Sequence, residues 1–375
     1  MRYLVYGAAR SGRSVMERLD DVVLVDRTLR NEDDLSLLDG VDVLVKSPGV
    51  PGERPLVAAA RDRGIPVWSE VELGWRLLPH ARWVGVTGTN GKTTTTALLG
   101  EMFRAAGRDV AVAGNIGVPV TSVEHADWVV AELSSFQLED VHELALEVAV
   151  LLNLEPDHLD RYASFDDYRA AKLRIFERAR HKVVPRGMRL DGIAFSADDE
   201  LPAEPLMRGR HNRENAAAAT AAARAAGIGD EHIAAALRAF PGVPHRLELV
   251  GERDGVRYVN DSKATNVAAA LTAVRAYADE PVHLILGGSP KGEDFAALAS
   301  AIGPNVKSVH LIGAEGPRIG AAIPGFADET LERAVAHATE LAEPGDVVLL
   351  SPACASYDQF ENFEQRGEAF RRFVP

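Results

Sequence analysis

Cysteine is almost missing. Cys354 is the single one in 375 residues, so no disulfide can close within the chain and a reducing compartment is expected. Long apolar runs are missing too; none is long enough to cross a bilayer. Met1 to Tyr6 enters a strand pattern directly, without a basic segment or a long apolar core, so no secretory leader is expected. Positive charge is in deficit, with 41 Lys and Arg against 55 Asp and Glu and a formal net charge of −14. That excludes a general affinity for nucleic acid or anionic membrane, but not an anionic ligand held by a local basic site. There is no internal repeat. The expectation is a cytoplasmic monomer with no membrane or nucleic-acid partner.

What is present is a globular composition, 46% hydrophobic, over a length that suits two or three domains. The expected fold class is α/β in three domains. Residues 1–80 alternate short strands (Tyr3–Tyr6, Val22–Val25, Val41–Val45, Ile65–Val67) with helix patterns, as in a Rossmann-like parallel sheet. Residues 81–241 form a central P-loop ATPase-type unit with strands near Trp83–Val86, Val110–Ala113, Trp128–Glu132 and Val148–Leu152. Residues 242–375 open on a hairpin around Asp254-Gly255. They continue as a second Rossmann-like doubly wound sheet and end in a helix expected over 357–373.

The chain is organised around Val84-Gly-Val-Thr-Gly-Thr-Asn-Gly-Lys-Thr-Thr94. A buried strand, a glycine turn and Lys-Thr at a helix start make a phosphate cradle, since backbone N–H groups and the helix dipole face the anion. Gly88 to Thr94 would line it, with Lys92 on the β/γ-phosphates and the Thr93 hydroxyl on Mg²⁺. The usual spacing would put glycine at Val86; here it stands at Gly85. A glycine turn without a ligand is the alternative.

Other polar groups follow strand ends. Glu132 could complete a Mg²⁺ site opposite Thr93 or cap the next helix. Asp157, His158 and Asp160 crowd the next loop, which is equally a solvated loop or a site for a metal ligand or proton acceptor. Lys172, by spacing alone, is a solvated lysine. Asn212 and Asn215 share a helix face, where they could read an adenine edge or cap the helix. Arg246 could clamp phosphates, and Asp261 could hold a ribose hydroxyl or a metal-bound water. Gly7-Ala-Ala-Arg-Ser-Gly12 with Asp26 could bind a dinucleotide or another nucleotide diphosphate, or be a plain turn, and Ser47 lies at the same crevice. Lys291 and Ser356 could each hold a carboxylate. Cys354 reads as a small buried residue.

Together these motifs resemble the Mur ligases of peptidoglycan synthesis. They are Thr-Gly-Thr-Asn-Gly-Lys-Thr, Gly114-Asn-Ile-Gly117, Glu132-Leu-Ser-Ser-Phe-Gln-Leu, Asp157-His-Leu-Asp160, His211-Asn-x-x-Asn215, Asn260-Asp-Ser-Lys-Ala-Thr-Asn266 and Ser351-Pro-Ala-Cys-Ala-Ser356. Asp358-Gln-Phe-x-Asn-Phe-Glu-Gln-Arg-Gly367 is similar to the branch that adds D-glutamate. The resemblance implies an ATP-dependent amide ligase acting on UDP-MurNAc-L-alanine and D-glutamate, with two Mg²⁺ ions. It implies ATP contacts from Gly88, Thr89, Asn90, Gly91, Lys92, Thr93, Thr94, Asn212, Asn215, Arg246 and Asp261, and closure of the third domain on ATP. Metal ligands would be Thr93, Glu132, His158 and Lys172, the last as a CO₂ carbamate, which reverses the solvated reading. Catalysis would fall to Lys92, His158 and Lys172. UDP-sugar contacts would come from Arg10, Ser11, Asp26, Arg27, Ser47 and Asn115, and amino-acid contacts from Thr265, Lys291, Ser356 and Phe363. Arg10 and Arg27-Thr28 depart from the family pattern. The stretch between Lys172 and His211 is short for the family, so peripheral β-structure is expected to be missing there.

Overall fold

The computed structural model describes every residue of the chain except Ile116, Leu159, Asp160, Lys291 and Glu293. The chain forms two compact units. One holds Met1–Pro205 with His211–Phe240, the other Leu206–Arg210 with Pro241–Pro375.

The first unit carries two parallel sheets. β1 (Tyr3–Tyr6), β2 (Val22–Val25), β3 (Val43–Lys46) and β4 (Val67–Ser69) lie in the order β2-β1-β3-β4. The second sheet contains β5 (Arg82–Thr87), β6 (Val110–Gly114), β7 (Trp128–Glu132), β8 (Leu146–Leu151), β9 (Ala179–Pro185) and β10 (Ile193–Phe195), in the order β10-β9-β8-β5-β7-β6. β5, β7 and β8 are almost wholly buried, as continuous apolar runs in a parallel sheet must be. β5 pairs with β7 on one side and β8 on the other, bringing Val86 beside Glu132 and Thr87 beside Leu151. The loops after β5, β7 and β8 therefore open on one edge, where the strand order reverses and ligands bind in such sheets. β9 and β10, which sequence patterning did not find, occupy the stretch after Lys172.

Buried acids join the two sheets. Glu72 is fully buried and accepts from the backbone N–H groups of His142, Glu143 and Leu144. Glu70 accepts from the N–H and hydroxyl of Thr121 through Oε1 at 2.6 and 2.9 Å, whereas its Oε2 is buried without a hydrogen-bond partner. Burial raises its pKa above the ordinary 4.5, against the lowering effect of the Thr121 bonds. The folded state thus holds a proton that the unfolded chain sheds above pH 4.5, and stability falls as pH rises through that window. Glu70→Gln keeps the acceptor and removes the titration. It is expected to leave stability unchanged near pH 4 and to raise it by on the order of 1 kcal/mol at pH 8, read by urea unfolding at both.

The second unit holds one mixed sheet: β11 (Glu248–Arg253), β12 (Val256–Asn260), β13 (Val282–Gly287), β14 (Val306–Ile312), β15 (Phe326–Glu329) and β16 (Val347–Leu350), in the order β11-β12-β16-β13-β14-β15. β11 and β12 form the expected hairpin, and the remaining pairs are parallel. Apolar clusters cover both faces. The last helix is Phe363–Phe373, capped by Asn362 onto Gln365, and does not begin at 357. Residues 357–362 are spent in turns, with Gln359 and Phe360 N–H groups on the Ser356 carbonyl.

Candidate functional site

The chain leaves β5 through Gly88 and enters the helix Lys92–Ala105 with Gly91 as its N-cap, at φ +84° and with no side chain capping it. The first N–H groups of the helix are thereby left for a ligand. A Cβ on Gly91 would lie 2.2 Å from Asn215 Oδ1, so only glycine lets the asparagine come this close. Lys92 Nζ donates to the carbonyls of Gly88 and Thr89 at 2.9 and 2.8 Å. Val86, which displaces the usual glycine, is a fully buried strand residue.

The Thr93 hydroxyl donates to Glu132 Oε2 at 2.9 Å, and Asn115 Nδ2 donates to Oε1 at 2.8 Å. Glu132 is not a helix cap. That position belongs to Ser134, which forms a capping box with Gln137. A buried carboxylate and a threonine hydroxyl beside an anion cradle fit a Mg²⁺ ion, which takes oxygen ligands and keeps substrate phosphates in its shell.

Lys172 sits on the helix Phe165–Leu173 and is 2% exposed, so it is not a solvated lysine. Its Nζ donates to the Gly88 carbonyl at 2.9 Å. Burial first, and then the Lys92 charge, lower its pKa from 10.5 to about 7, partly offset by Asp157 and Glu132. A cation there would repel Mg²⁺, so the free amine does not suit a metal shell, whereas a neutral amine converted to a carboxylate does.

The loop after β8 braces this cradle. Asn90 N–H donates to Asn153 Oδ1 at 2.8 Å, Asn90 Nδ2 to Glu155 Oε2 at 3.0 Å, and the Thr89 and Tyr168 hydroxyls meet at 3.0 Å. His158 has φ +53° and lies against Phe136, with Nε2 3.5 Å from Asp157 Oδ2. Asp160 falls outside the described residues. Asn212 and Asn215 are buried inside the helix Arg210–Ala225, so neither is an N-cap. Thr94 follows, buried, in the first turn of the Lys92 helix.

At the first sheet, Asp26 accepts from Ala8 N–H at 2.8 Å and from the N–H and hydroxyl of Thr28. Its carboxyl is held at about 2, chiefly by the Ala8 bond, with Arg27 contributing last. Asp26 therefore fastens its own turn. A Cβ on Gly12 would strike the Gly7 carbonyl at 1.8 Å, which explains the second glycine of that turn. The Ser47 hydroxyl donates to Gly7 O at 3.0 Å, Arg10 donates to the Gly117 carbonyl, and Ser11 lies in the first turn of Arg10–Arg18.

In the second unit, Asp261 accepts from the Ser351 hydroxyl at 2.8 Å and from Leu247 N–H at 3.2 Å. Burial raises its carboxyl to about 7 against these bonds and the Arg246 charge. Thr265 precedes the Asn266 cap of Val267–Ala276. Ser356 is buried in a turn rather than at a helix start, and Phe363 opens the last helix. Lys291 falls outside the described residues. Arg366, to which the sequence pattern assigns no role, is 1% exposed and ties this loop together.

Two family models match: the Mur ligase middle domain over residues 86–189 and the Mur ligase glutamate ligase domain over 245–354. The chain is 42% identical to the UDP-N-acetylmuramoylalanine–D-glutamate ligase of Sphingopyxis alaskensis, covering 100% of this chain and 96% of the relative. It is 44% identical to the enzyme of that name from Anaeromyxobacter dehalogenans, over 89% and 84% of the two chains. In fold it is similar to the UDP-N-acetylmuramate–alanine ligase of Thermotoga maritima, with a TM-score of 0.63 at 19% identity over 100% and 98% of the two chains. It is also similar to a folylpolyglutamate synthase/dihydrofolate synthase solved with Mn, AMPPNP and L-glutamate, with a TM-score of 0.60 at 17% identity over 81% and 93%. On the family matches and the full-length identity to these relatives, the chain belongs to the Mur ligase family.

Proposed function

We propose that the chain is the ATP-dependent ligase that joins D-glutamate to UDP-N-acetylmuramoyl-L-alanine, a cytoplasmic step of peptidoglycan precursor synthesis carried out by a monomer. One observation carries the chemical reading. Thr93, Glu132 and the buried Lys172 converge on a single helix-start phosphate cradle.

A carboxylate is a poor electrophile. The γ-phosphoryl group of ATP is transferred to the substrate carboxylate oxygen, giving an acyl phosphate and ADP. The D-glutamate amine attacks the acyl carbon, the tetrahedral intermediate expels phosphate, and the amine loses one proton. Lys92 and the helix N–H groups bind the phosphates, and Asn212 and Asn215 bind adenine, with Arg246 and Asp261 as nucleotide residues of the second unit. Thr93 and Glu132 hold Mg²⁺, and His158 with a Lys172 carbamate hold a second. Bound Mg²⁺ neutralises charge on the transferring group. His158 is the candidate proton acceptor. Residues 1–80 bind the UDP-sugar through Arg10, Ser11, Asp26, Arg27 and Ser47, with Asn115 from the central domain of residues 81–241. Residues 242–375 bind D-glutamate through Thr265, Lys291, Ser356 and Phe363. This reading is supported by the identity to D-glutamate ligases along the whole chain.

The test is phosphate release from ATP with UDP-MurNAc-L-alanine and a panel of amino acids. Turnover is expected with D-glutamate. Turnover with meso-diaminopimelate or lysine, and none with D-glutamate, overturns the assignment.

A further inference from the structure

Away from the strand ends, a line of polar side chains is buried under the helix Leu331–Leu341 on the third sheet. His310 of β14, fully buried, places Nδ1 2.7 Å from Asp328 Oδ2 on β15. His337, on the helix above, places its Nδ1 2.9 Å from Asp328 Oδ1. The ligand atoms of these three residues lie within 4.8 Å of one another. Phe326 closes over the group, 5.5 Å from the His310 ring and 4.4 Å from His337. We infer that His310, Asp328 and His337 form a site for a divalent transition metal of the zinc class, separate from any Mg²⁺ at the phosphate cradle.

Two imidazole nitrogens and one carboxylate suit Zn²⁺, with a fourth position for water. Mg²⁺, which wants six oxygens, is a poor match. For bonds of about 2.0–2.1 Å the tetrahedral edge is about 3.3 Å, so the two N···O contacts of 2.7 and 2.9 Å need to open by about half an ångström, with the remaining separation, within 4.8 Å, adjusting to the same edge.

A second observation is the wiring behind His310. Its Nε2 lies 2.7 Å from Ser308 Oγ, Ser308 Oγ lies 2.7 Å from His283 Nδ1, and His283 Nε2 lies 3.1 Å from Asp346 Oδ2. If a metal takes His310 Nδ1, the ring proton is on Nε2 and donates to Ser308. The serine hydroxyl then donates to His283 Nδ1, and His283 Nε2–H donates to Asp346. Every donor meets an acceptor, and the ligand is oriented by a carboxylate-anchored relay, as metal-bound histidines commonly are. Without a metal, and with both rings neutral, the count is one hydrogen short. With His310 Nδ1–H on Asp328 and His283 Nε2–H on Asp346, both imidazoles turn a lone pair to Ser308, which has one hydrogen to give. The other His/Asp cluster among the described residues, Asp109, His125 and Asp127, is exposed and has no such backing.

The test uses the full chain freed of metal by chelation. Zn²⁺ and Co²⁺ are titrated in excess Mg²⁺, following calorimetry, thermal midpoint and the visible Co²⁺ spectrum. One equivalent is expected to bind with a tetrahedral Co²⁺ spectrum and a raised midpoint. His337→Gln, at a half-buried position the fold tolerates, should abolish that spectrum and weaken Zn²⁺ at least 100-fold. Ser308→Ala should weaken it about 10- to 100-fold. His125→Gln, in the exposed cluster, should change nothing. Absence of saturable Zn²⁺ binding, or binding equal in wild type and the folded His337→Gln variant, overturns the site. Neither result depends on turnover, so the ligase assignment stands or falls separately.

Discussion

Lys172→Ala is expected to lower turnover roughly 10²- to 10³-fold, the scale for losing one group that stabilises charge in the transition state. Millimolar formate or acetate should restore part of it. The chemistry starts at the amine. At 2% exposure and beside the Lys92 charge, Lys172 titrates near 7, so about half is neutral at neutral pH. Its lone pair can attack CO₂. An N–C bond forms, one C–O π pair moves to oxygen, and the excess nitrogen proton goes to solvent, leaving a carbamate of charge −1. Such a product would replace a cation near Glu132 with a carboxylate, the kind of group Mg²⁺ takes as a ligand. The same shift has a stability consequence in CO₂-free buffer. Between about pH 7 and 10.5 the unfolded lysine holds a proton that the folded one has shed, so stability rises with pH across that window, and below it the burial cost is felt in full. The difference is on the order of 5 kcal/mol. Lys172→Met should remove the slope and stabilise the chain most at pH 6. Full activity of Lys172→Ala without added carboxylate excludes the carbamate. An unchanged pH slope in Lys172→Met excludes the buried neutral amine.

Much of this arrangement was legible in the residues, and the parts that were not share a cause. The loops after β5, β7 and β8 were readable because apolar runs and glycine turns are local signals. Glu132 could be placed at a strand end for the same reason. Lys172 could not be read locally. Arg169 and Arg174 flank it in sequence, and its buried amine bonds the Gly88 carbonyl, 84 residues away. The family resemblance supplied what spacing withheld. β15, with the sequence Phe-Ala-Asp-Glu, is too short and polar to look like a strand and is defined by pairing with β14. The late start of the last helix reflects Ser356, whose carbonyl takes two turn N–H groups and delays the helix to the Asn362 cap. The bonds from Asp26 to Ala8 and Thr28 leave no trace in the strand pattern, since they depend on how the two turns meet in space. The histidine–aspartate line through β13, β14 and β15 left no periodic trace, since its members come from separate strands and a helix.

Arg366→Ala should cost on the order of 4 kcal/mol in the second unit, seen as a lower urea midpoint for that unit. The guanidinium is buried, with Nε on Ser262 Oγ at 3.0 Å, Nη2 on the carbonyls of Ser262 and Cys354 at 2.8 and 3.0 Å, and Nη1 on Ala355 O at 3.1 Å. Burial pulls its pKa down to about 10, with Cys354, Asp358 and Asp261 opposing. Alanine removes four hydrogen bonds to buried acceptors, of which Ala355 O keeps Ser289 N–H and the Ser262 hydroxyl keeps its bond to Phe363 O, and each buried acceptor left short this way costs about 1–3 kcal/mol before relaxation. Lysine brings the charge but not the planar fork, so it cannot reach both the Ser262 segment and the 354–355 segment. Arg366→Lys should therefore stay folded while the two segments lose their mutual register. Because Thr265, Ser356 and Phe363 all lie within ten residues of those contacts, the KM for D-glutamate should rise at least tenfold. The KM for ATP should rise less, since the phosphate cradle belongs to the other unit. A wild-type urea midpoint in Arg366→Ala rules out the stabilising role. Equal rises in the two KM values in Arg366→Lys would show that the guanidinium serves the fold of the unit and not the geometry of the amino-acid loop.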